Sequence, residues 1–276
     1  YTMTALSPIG IFDSGIGGVS VLIAIRKLLP NEVIIYFGDN ANLPYGEKSL
    51  AEVRGFCEQI TNFLLQKRCK VIVIACNTAS AAALKHLRQL HPETTFVGME
   101  PAVKPAAEQT QSGVVGVLAT TATFQGELFA SVVDRFAKNV KVLHQPCPGL
   151  VQQIESGKLD LAETETMLRM WLQPMIESGI DSLVLACTHY PFVVPLLKKI
   201  LGEKVNVIDP APAVAKQVKK VLEEKELLNE SQWKNIDGNS VVYFTSGSKN
   251  IFEKTLFILT GNNGDVRKSN FDNLLC

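Results

Sequence analysis

No stretch of this 276-residue sequence approaches the roughly 20 consecutive apolar residues that a membrane-spanning helix needs, so nothing in it reads as a span. Blocks of like charge are absent as well. Its 27 basic and 27 acidic residues are interspersed, and no basic stripe alternates with aromatics, which leaves nucleic acid and membrane surfaces without support as partners. The six cysteines never fall into C-x-x-C spacing, and a chain of this length needs no disulfide staples. A reducing compartment, the cytoplasm, is therefore expected. Tyr1 to Pro8 carries neither a basic segment nor the apolar run of a secretory leader. Also missing are a P-loop, zinc-ligand spacing, His-Glu-x-x-His and a nucleophile elbow, so neither a metal nor any other cofactor is predicted. What remains is an apolar fraction of 46%, ample for a packed core, and a small molecule as the expected partner.

The chain is organised around Lys70 to Ser80, KVIVIACNTAS. Val71 to Ile74 are four consecutive β-branched residues and read as a strand buried on both faces; Ala75, Cys76, Asn77 and Thr78 follow before a helix-forming stretch. A thiol is thereby set at the carboxyl end of a central strand, where open α/β sheets bind their ligands. Ser182 to Pro191, SLVLACTHYP, repeats the pattern with Ala186, Cys187, a Thr and a helix start.

Strands and helices alternate throughout. Ile9 to Phe12 is a strand, broken by Asp13-Ser14-Gly15-Ile16-Gly17-Gly18 before a helix with Leu22, Ile25 and Leu29. Val33 to Phe37 is the next strand, and Leu50, Val53, Phe56, Ile60, Phe63 and Leu64 form the apolar stripe of the following helix. After the Cys76 strand come a helix at Ala79 to Leu90, a strand at Thr95 to Gly98 and a Pro-bounded segment to Gln111. Val114 to Leu118 restarts the pattern, with a helix at Phe124 to Phe136, a strand at Val140 to Leu143, a turn at Gln145 to Gly149 and a helix at Leu161 to Ile176. A strand at Val205 to Ile208, a helix ending near Glu226, a strand at Val241 to Phe244, a helix at Asn250 to Leu259 and a polar tail from Gly261 to Cys276 complete the chain. Gly10 and Gly116 are separated by nearly the same interval as Cys76 and Cys187, which points to a duplicated module. The predicted fold is α/β: two similar doubly wound lobes with mainly parallel sheets, residues 1–98 plus 208–276 forming one and 99–207 the other, with the site in the cleft between them.

Cys57 on a helix, Cys69 at a helix end, Cys147 in a turn and Cys276 in the tail are read as inert, as most cysteines are. Cys76 and Cys187 are read as reactive, because each precedes a helix whose N-terminal dipole is expected to lower the thiol pKa. His189, two residues beyond Cys187, is placed to exchange a proton or stabilise a thiolate, and Asp13 is its counterpart for Cys76. Gly15-x-Gly17 with Asp39 after the second strand half-matches a dinucleotide fingerprint, but Ser20 stands where the third glycine belongs. The same loop amides would equally hold a carboxylate. Two matched thiols on two matched lobes suit inversion of a stereocentre, in which one group removes a proton from one face and the other donates to the opposite face.

The stretches Phe12-Asp13-Ser14-Gly15-x-Gly17-Gly18, Pro44-Tyr45-Gly46, Ala75-Cys76-Asn77-Thr78-Ala79, Cys147-Pro148 to Glu155-x-Gly157, Cys187-Thr188-His189-Tyr190-Pro191 and Thr245-Ser246-Gly247 together resemble the glutamate racemase family. The resemblance implies cofactor-independent interconversion of L- and D-glutamate, the D-form serving peptidoglycan synthesis and so cell shape. It implies Cys187 as the base for the L-form and Cys76 for the D-form, with Asp13 and His189 assisting and Glu155 orienting His189. It further implies that Asp13, Ser14, Tyr45, Gly46, Asn77, Thr78, Thr120, Thr123, Thr188 and His189 hold the substrate. It leaves a homodimer open. Asn40, Ala119 and Ala122 depart from the commoner family residues. Alternatives that remain at this point are a racemase of aspartate in the same superfamily, a two-lobed amino-acid binding protein without chemistry, and a Cys-His hydrolase built on Cys187 and His189.

Overall fold

The computed structural model describes residues 3–231 and 240–269. Among the described residues ten strands form two sheets: β1 (Ile9–Asp13), β2 (Ile34–Gly38), β3 (Val71–Ile74), β4 (Phe96–Gly98), β5 (Val114–Ala119), β6 (Lys141–Pro146), β7 (Ser182–Ala186), β8 (Asn206–Ile208), β9 (Val241–Thr245) and β10 (Asp265–Lys268). The first sheet runs β10-β9-β2-β1-β3-β4 and the second β6-β5-β7-β8, with every pairing parallel. Four consecutive strands at one end of the first sheet, β2-β1-β3-β4, therefore match the whole of the second in order and direction. β3 and β7, the strands that end at the two thiols, are equivalent.

Each sheet is covered on both faces, as the uninterrupted apolar strands require. Odd and even residues sort accordingly. Ile9, Ile11, Val71 and Val73 pack in one core, while Phe12, Ile72, Ile74 and Cys76 pack in the one on the opposite face. In the second sheet Val115, Val117, Val184 and Ala186 oppose Leu118, Leu183, Leu185 and Cys187 in the same manner. No helix among the described residues is long and apolar enough to cross a membrane.

Several local expectations are corrected. The tail from Gly261 contributes β10, which buries Val266 and pairs with β9; its charged neighbours suit an exposed edge strand rather than a disordered end. Cys276 lies outside the described residues. The helix expected at Phe124 to Phe136 is two, Thr121–Gln125 and Glu127–Phe136, divided at the extended Gly126. The Pro-bounded segment after Gly98 contains a helix, Val103–Gln109, and a further helix, Leu150–Glu155, follows the turn at Gly149. Cys187 is followed not by an α-helix but by a 3-10 turn, Tyr190–Val193, with the helix Val194–Leu201 beginning beyond it.

At the amino end of the first sheet, Lys70 is buried and donates to the carbonyl oxygens of Ala5 (2.6 Å) and Leu227 (2.9 Å) while pairing with Glu32 at 2.6 Å. Glu32 in turn accepts from the Asn229 N–H at 2.9 Å. Removing one member of a buried pair strands the other charge. Lys70→Met should therefore lower the unfolding free energy by about 3–5 kcal/mol in urea titrations. Adding Glu32→Leu should recover part of that loss, and a larger loss in the double variant would contradict this account.

Candidate active site

The loop after β1 folds back on its own aspartate. Gly15 and Gly18 donate backbone N–H groups to Asp13 Oδ2 at 3.2 and 3.0 Å, and the Thr188 hydroxyl reaches Asp13 Oδ1 at 3.3 Å from the other sheet. The amides that half-matched a dinucleotide fingerprint are thus taken by carboxylates of the chain itself, since Ile16 N–H donates to Glu155 Oε1 at 2.9 Å. Asp39 is likewise engaged, by the Tyr45, Ser246 and Asn42 side chains. Glycine is needed at two positions here. A Cβ on Gly15 would overlap the Glu155 carboxylate, and one on Gly17 the ring of His189.

Glu155, at the end of the short helix that sequence reasoning did not place, joins the two sheets. Its Oε1 also pairs with His189 Nε2 at 2.7 Å and its Oε2 accepts from Asn40 Nδ2 at 3.3 Å. The other ring nitrogen of His189 lies 3.9 Å from Cys187 Sγ. Burial opposes charge on His189, but the bonds to Cys187 and Glu155, and their negative charge, outweigh it and hold the imidazolium well above the ordinary histidine range.

Cys76 caps the helix Asn77–Leu90, its sulfur accepting from Ala79 N–H at 3.4 Å. The expected helix-terminus geometry is present, yet the expected depression of its pKa is not. Burial, followed by the negative charge of Asp13, pushes the Cys76 thiol well above its ordinary value, and the Ala79 amide does not offset them. Burial likewise raises Asp13 itself, against the His189 cation and the Gly18 and Gly15 amides.

Both thiols line one small cavity that leaves little free room between them. Ser14, Tyr45, Gly46, Asn77, Thr78, Thr120, Thr188 and His189 share that lining, joined by Pro44 and Val151, which lie inside the resembling stretches but are not among the implied substrate contacts. Asp13, Glu155 and Thr123 stand behind it. Thr123 closes a triangle of hydroxyls with Thr78 (3.1 Å) and Thr120 (2.9 Å), and Thr78 meets Thr120 at 2.8 Å. Both the amide nitrogen and the oxygen of the buried Asn77 side chain lack partners among the described residues, so the wall offers a donor and an acceptor to whatever enters. Ser20, which stands where a third fingerprint glycine would, ties the β1 loop to the Cys187 turn by donating to Thr188 O at 3.0 Å. Cys57, Cys69 and Cys147 are free, buried thiols outside the lining, each pushed upward mainly by burial.

Residues 10–218 match the family model described as Asp/Glu/Hydantoin racemase. A glutamate racemase of Stutzerimonas stutzeri is 47% identical over 94% of this chain and 96% of its own, and one of Pseudomonas paraeruginosa is 48% identical over 95% and 97%. Among solved structures, a glutamate racemase from Francisella tularensis in complex with D-glutamate superposes with a TM-score of 0.85 at 31% identity, covering 98% of this chain and 99% of that one. A glutamate racemase isoform from Bacillus anthracis gives 0.84 at 33% identity, over 96% and 97%. By the family match over most of its length and near-half identity along almost all of it, the chain belongs to the Asp/Glu/hydantoin racemases, among the glutamate racemases.

Proposed function

We propose that the chain interconverts L- and D-glutamate by a two-thiol mechanism without cofactor, the D-form entering peptidoglycan synthesis. One observation carries the mechanism: Cys76 and Cys187 end equivalent strands of two matching sheets and line the same small cavity. Cys187 takes the α-proton of L-glutamate while Cys76 donates to the opposite face, and the reverse step exchanges the roles. The charge that collects beside Cys187 is met by His189, held cationic by Glu155; Asp13 faces Cys76. Unpaired Asn77 and the surrounding hydroxyls and amides receive the substrate's charged groups. A homodimer is compatible with this reading. The free thiols fit a cytoplasmic setting.

Replacing one thiol separates this reading from simple binding. Cys76→Ala should abolish racemisation yet retain slow deuterium uptake into L-glutamate in heavy water, and Cys187→Ala into D-glutamate only, as followed by proton NMR. Equal uptake into both enantiomers by either variant, or none by the intact protein, would overturn it. Aspartate tested alongside should be the poorer substrate.

A thiolate and a thiol are needed together, so kcat/KM should be bell-shaped in pH in both directions. Because Cys76 keeps its proton to a higher pH than an ordinary thiol, the alkaline limb with L-glutamate should lie above 9.0, the usual thiol value. A limb below that value would count against Cys76 as the donor.

Glu155→Gln should lower kcat/KM on the order of 10²-fold, within the range of positioned acid–base groups. Without its carboxylate partner the buried His189 loses charge at lower pH, and the alkaline limb should move downward. An unchanged pH profile would show that Glu155 does not set the charge of His189.

A further inference from the structure

Tyr190 follows Cys187 by three residues, and its backbone N–H donates to Cys187 O at 3.2 Å, closing a turn at the end of β7. The side chain is fully buried in the cluster that also contains Cys147 and Cys187. It does not line the cavity, so it stands behind the thiol rather than against the substrate. Its hydroxyl closes no hydrogen bond among the described residues. A buried O–H without a partner is unfavourable and uncommon, and one beside a reacting atom calls for an explanation. What this hydroxyl faces is sulfur, of Cys187 and of Cys147.

The two sulfurs differ in what they are asked to do. Cys147 donates its S–H to Gln145 O at 3.5 Å, and burial holds that thiol protonated. Only Cys187 changes charge during the reaction. The other half of the site offers a parallel: the residue three beyond Cys76 is Ala79, whose backbone N–H reaches the Cys76 sulfur at 3.4 Å. No helix begins at Cys187, so its turn presents no such amide, and the third residue beyond it carries a phenol instead.

We propose that Tyr190 is a positioning residue for Cys187, its hydroxyl donating to the sulfur when that sulfur is a thiolate. Two donors then hold the charged atom, His189 from the cavity wall and Tyr190 from behind. Burial, with the negative charge on the neighbouring sulfurs, keeps the phenol protonated well beyond its ordinary range, so it acts as a donor and not as a second base. The inference rests on Cys187 being a base of the racemase reaction.

The test is Tyr190→Phe, which removes one oxygen and keeps the ring, made in the full chain alone and in each Cys→Ala background. Deuterium uptake in heavy water is followed against pH. With Cys76→Ala, uptake into L-glutamate should slow by about 10- to 100-fold at neutral pH, the loss of one hydrogen bond to a charged group. Its acid limb should move to higher pH, because an unsupported thiolate forms later, and most of the rate should return there. With Cys187→Ala, uptake into D-glutamate should change less than about twofold, which also reports that the variant is folded. Equal slowing of both reactions would make Tyr190 a packing residue, and an unchanged L-glutamate limb would show the hydroxyl idle throughout. If Cys76→Ala takes up no deuterium at all, the two-thiol reading is what fails. The rate of Cys187 alkylation by iodoacetamide, mapped by mass spectrometry, then decides: its pH midpoint should rise in Tyr190→Phe, and an unmoved midpoint overturns the proposal.

Discussion

Charges kept away from water must be paired, and the centre of this protein is arranged to satisfy that requirement. Asp13 and His189 are 0% and 1% exposed, and the Glu155 side chain 11%. Unpaired, any one of them would cost several kcal/mol or shed its charge. Glu155 pairs with His189 within the second half and accepts from the Ile16 amide across the join, while Asp13 holds the amides of its own loop and meets the Thr188 hydroxyl across the join. The pairings are also the ties that hold the two sheets in register. Gly15 and Gly17 are bare because the carboxylate and the ring have to approach the backbone that closely.

The two halves share a strand order but differ in how each stabilises sulfur. Cys76 sits at a helix start, facing the amide of Ala79 and the negative field of Asp13. Cys187 sits on a 3-10 turn, where a cationic imidazole takes the place of the helix dipole. A duplicated framework has thus been given opposite electrostatics: one thiol is held protonated, the other is placed beside a positive charge. For a reaction needing an acid and a base at once, that difference is useful, since equal thiols would favour neither protonation pattern.

Much of this was legible in the sequence because it is written in contiguous residues. The β-branched run Val71 to Ile74 and its copy Ser182 to Ala186 announce buried strands, and a cysteine directly after each fixes its place at the sheet edge. The pairing of the sheets followed from that repetition. Less legible was anything depending on distant segments. β10 is polar in composition and becomes a strand only because β9 offers it an edge, while Leu150–Glu155 is too short to show helical periodicity. Local reasoning also gave Cys76 the wrong electrostatic sign. The helix start is visible in the sequence, whereas the burial and the Asp13 charge that override it come from the fold. The contacts of Ser20 and Tyr190, both noted in the sequence, escaped notice for a related reason, since a hydroxyl declares its partner only in three dimensions.

The same burial that raises Cys76 bears on why a thiol is adequate for the task. The α-proton of an amino acid is held far more tightly than any thiol proton, so a thiolate of ordinary strength is a weak base for it. Excluding water strengthens the base, because a sulfur that resists ionisation takes a proton back more readily once ionised. The disadvantage is scarcity, as such a thiolate is rarely populated in the resting protein. Under the proposed mechanism, one proton shared between the two thiols would reduce that disadvantage, because it passes from one sulfur to the other through the substrate rather than to bulk water. The cavity leaves little free room beside the two sulfurs, which keeps that exchange local. Tight closure, the raised Cys76 thiol and paired charges behind the site are thus three aspects of one physical choice: to perform carbon-acid chemistry with water excluded rather than with a stronger reagent.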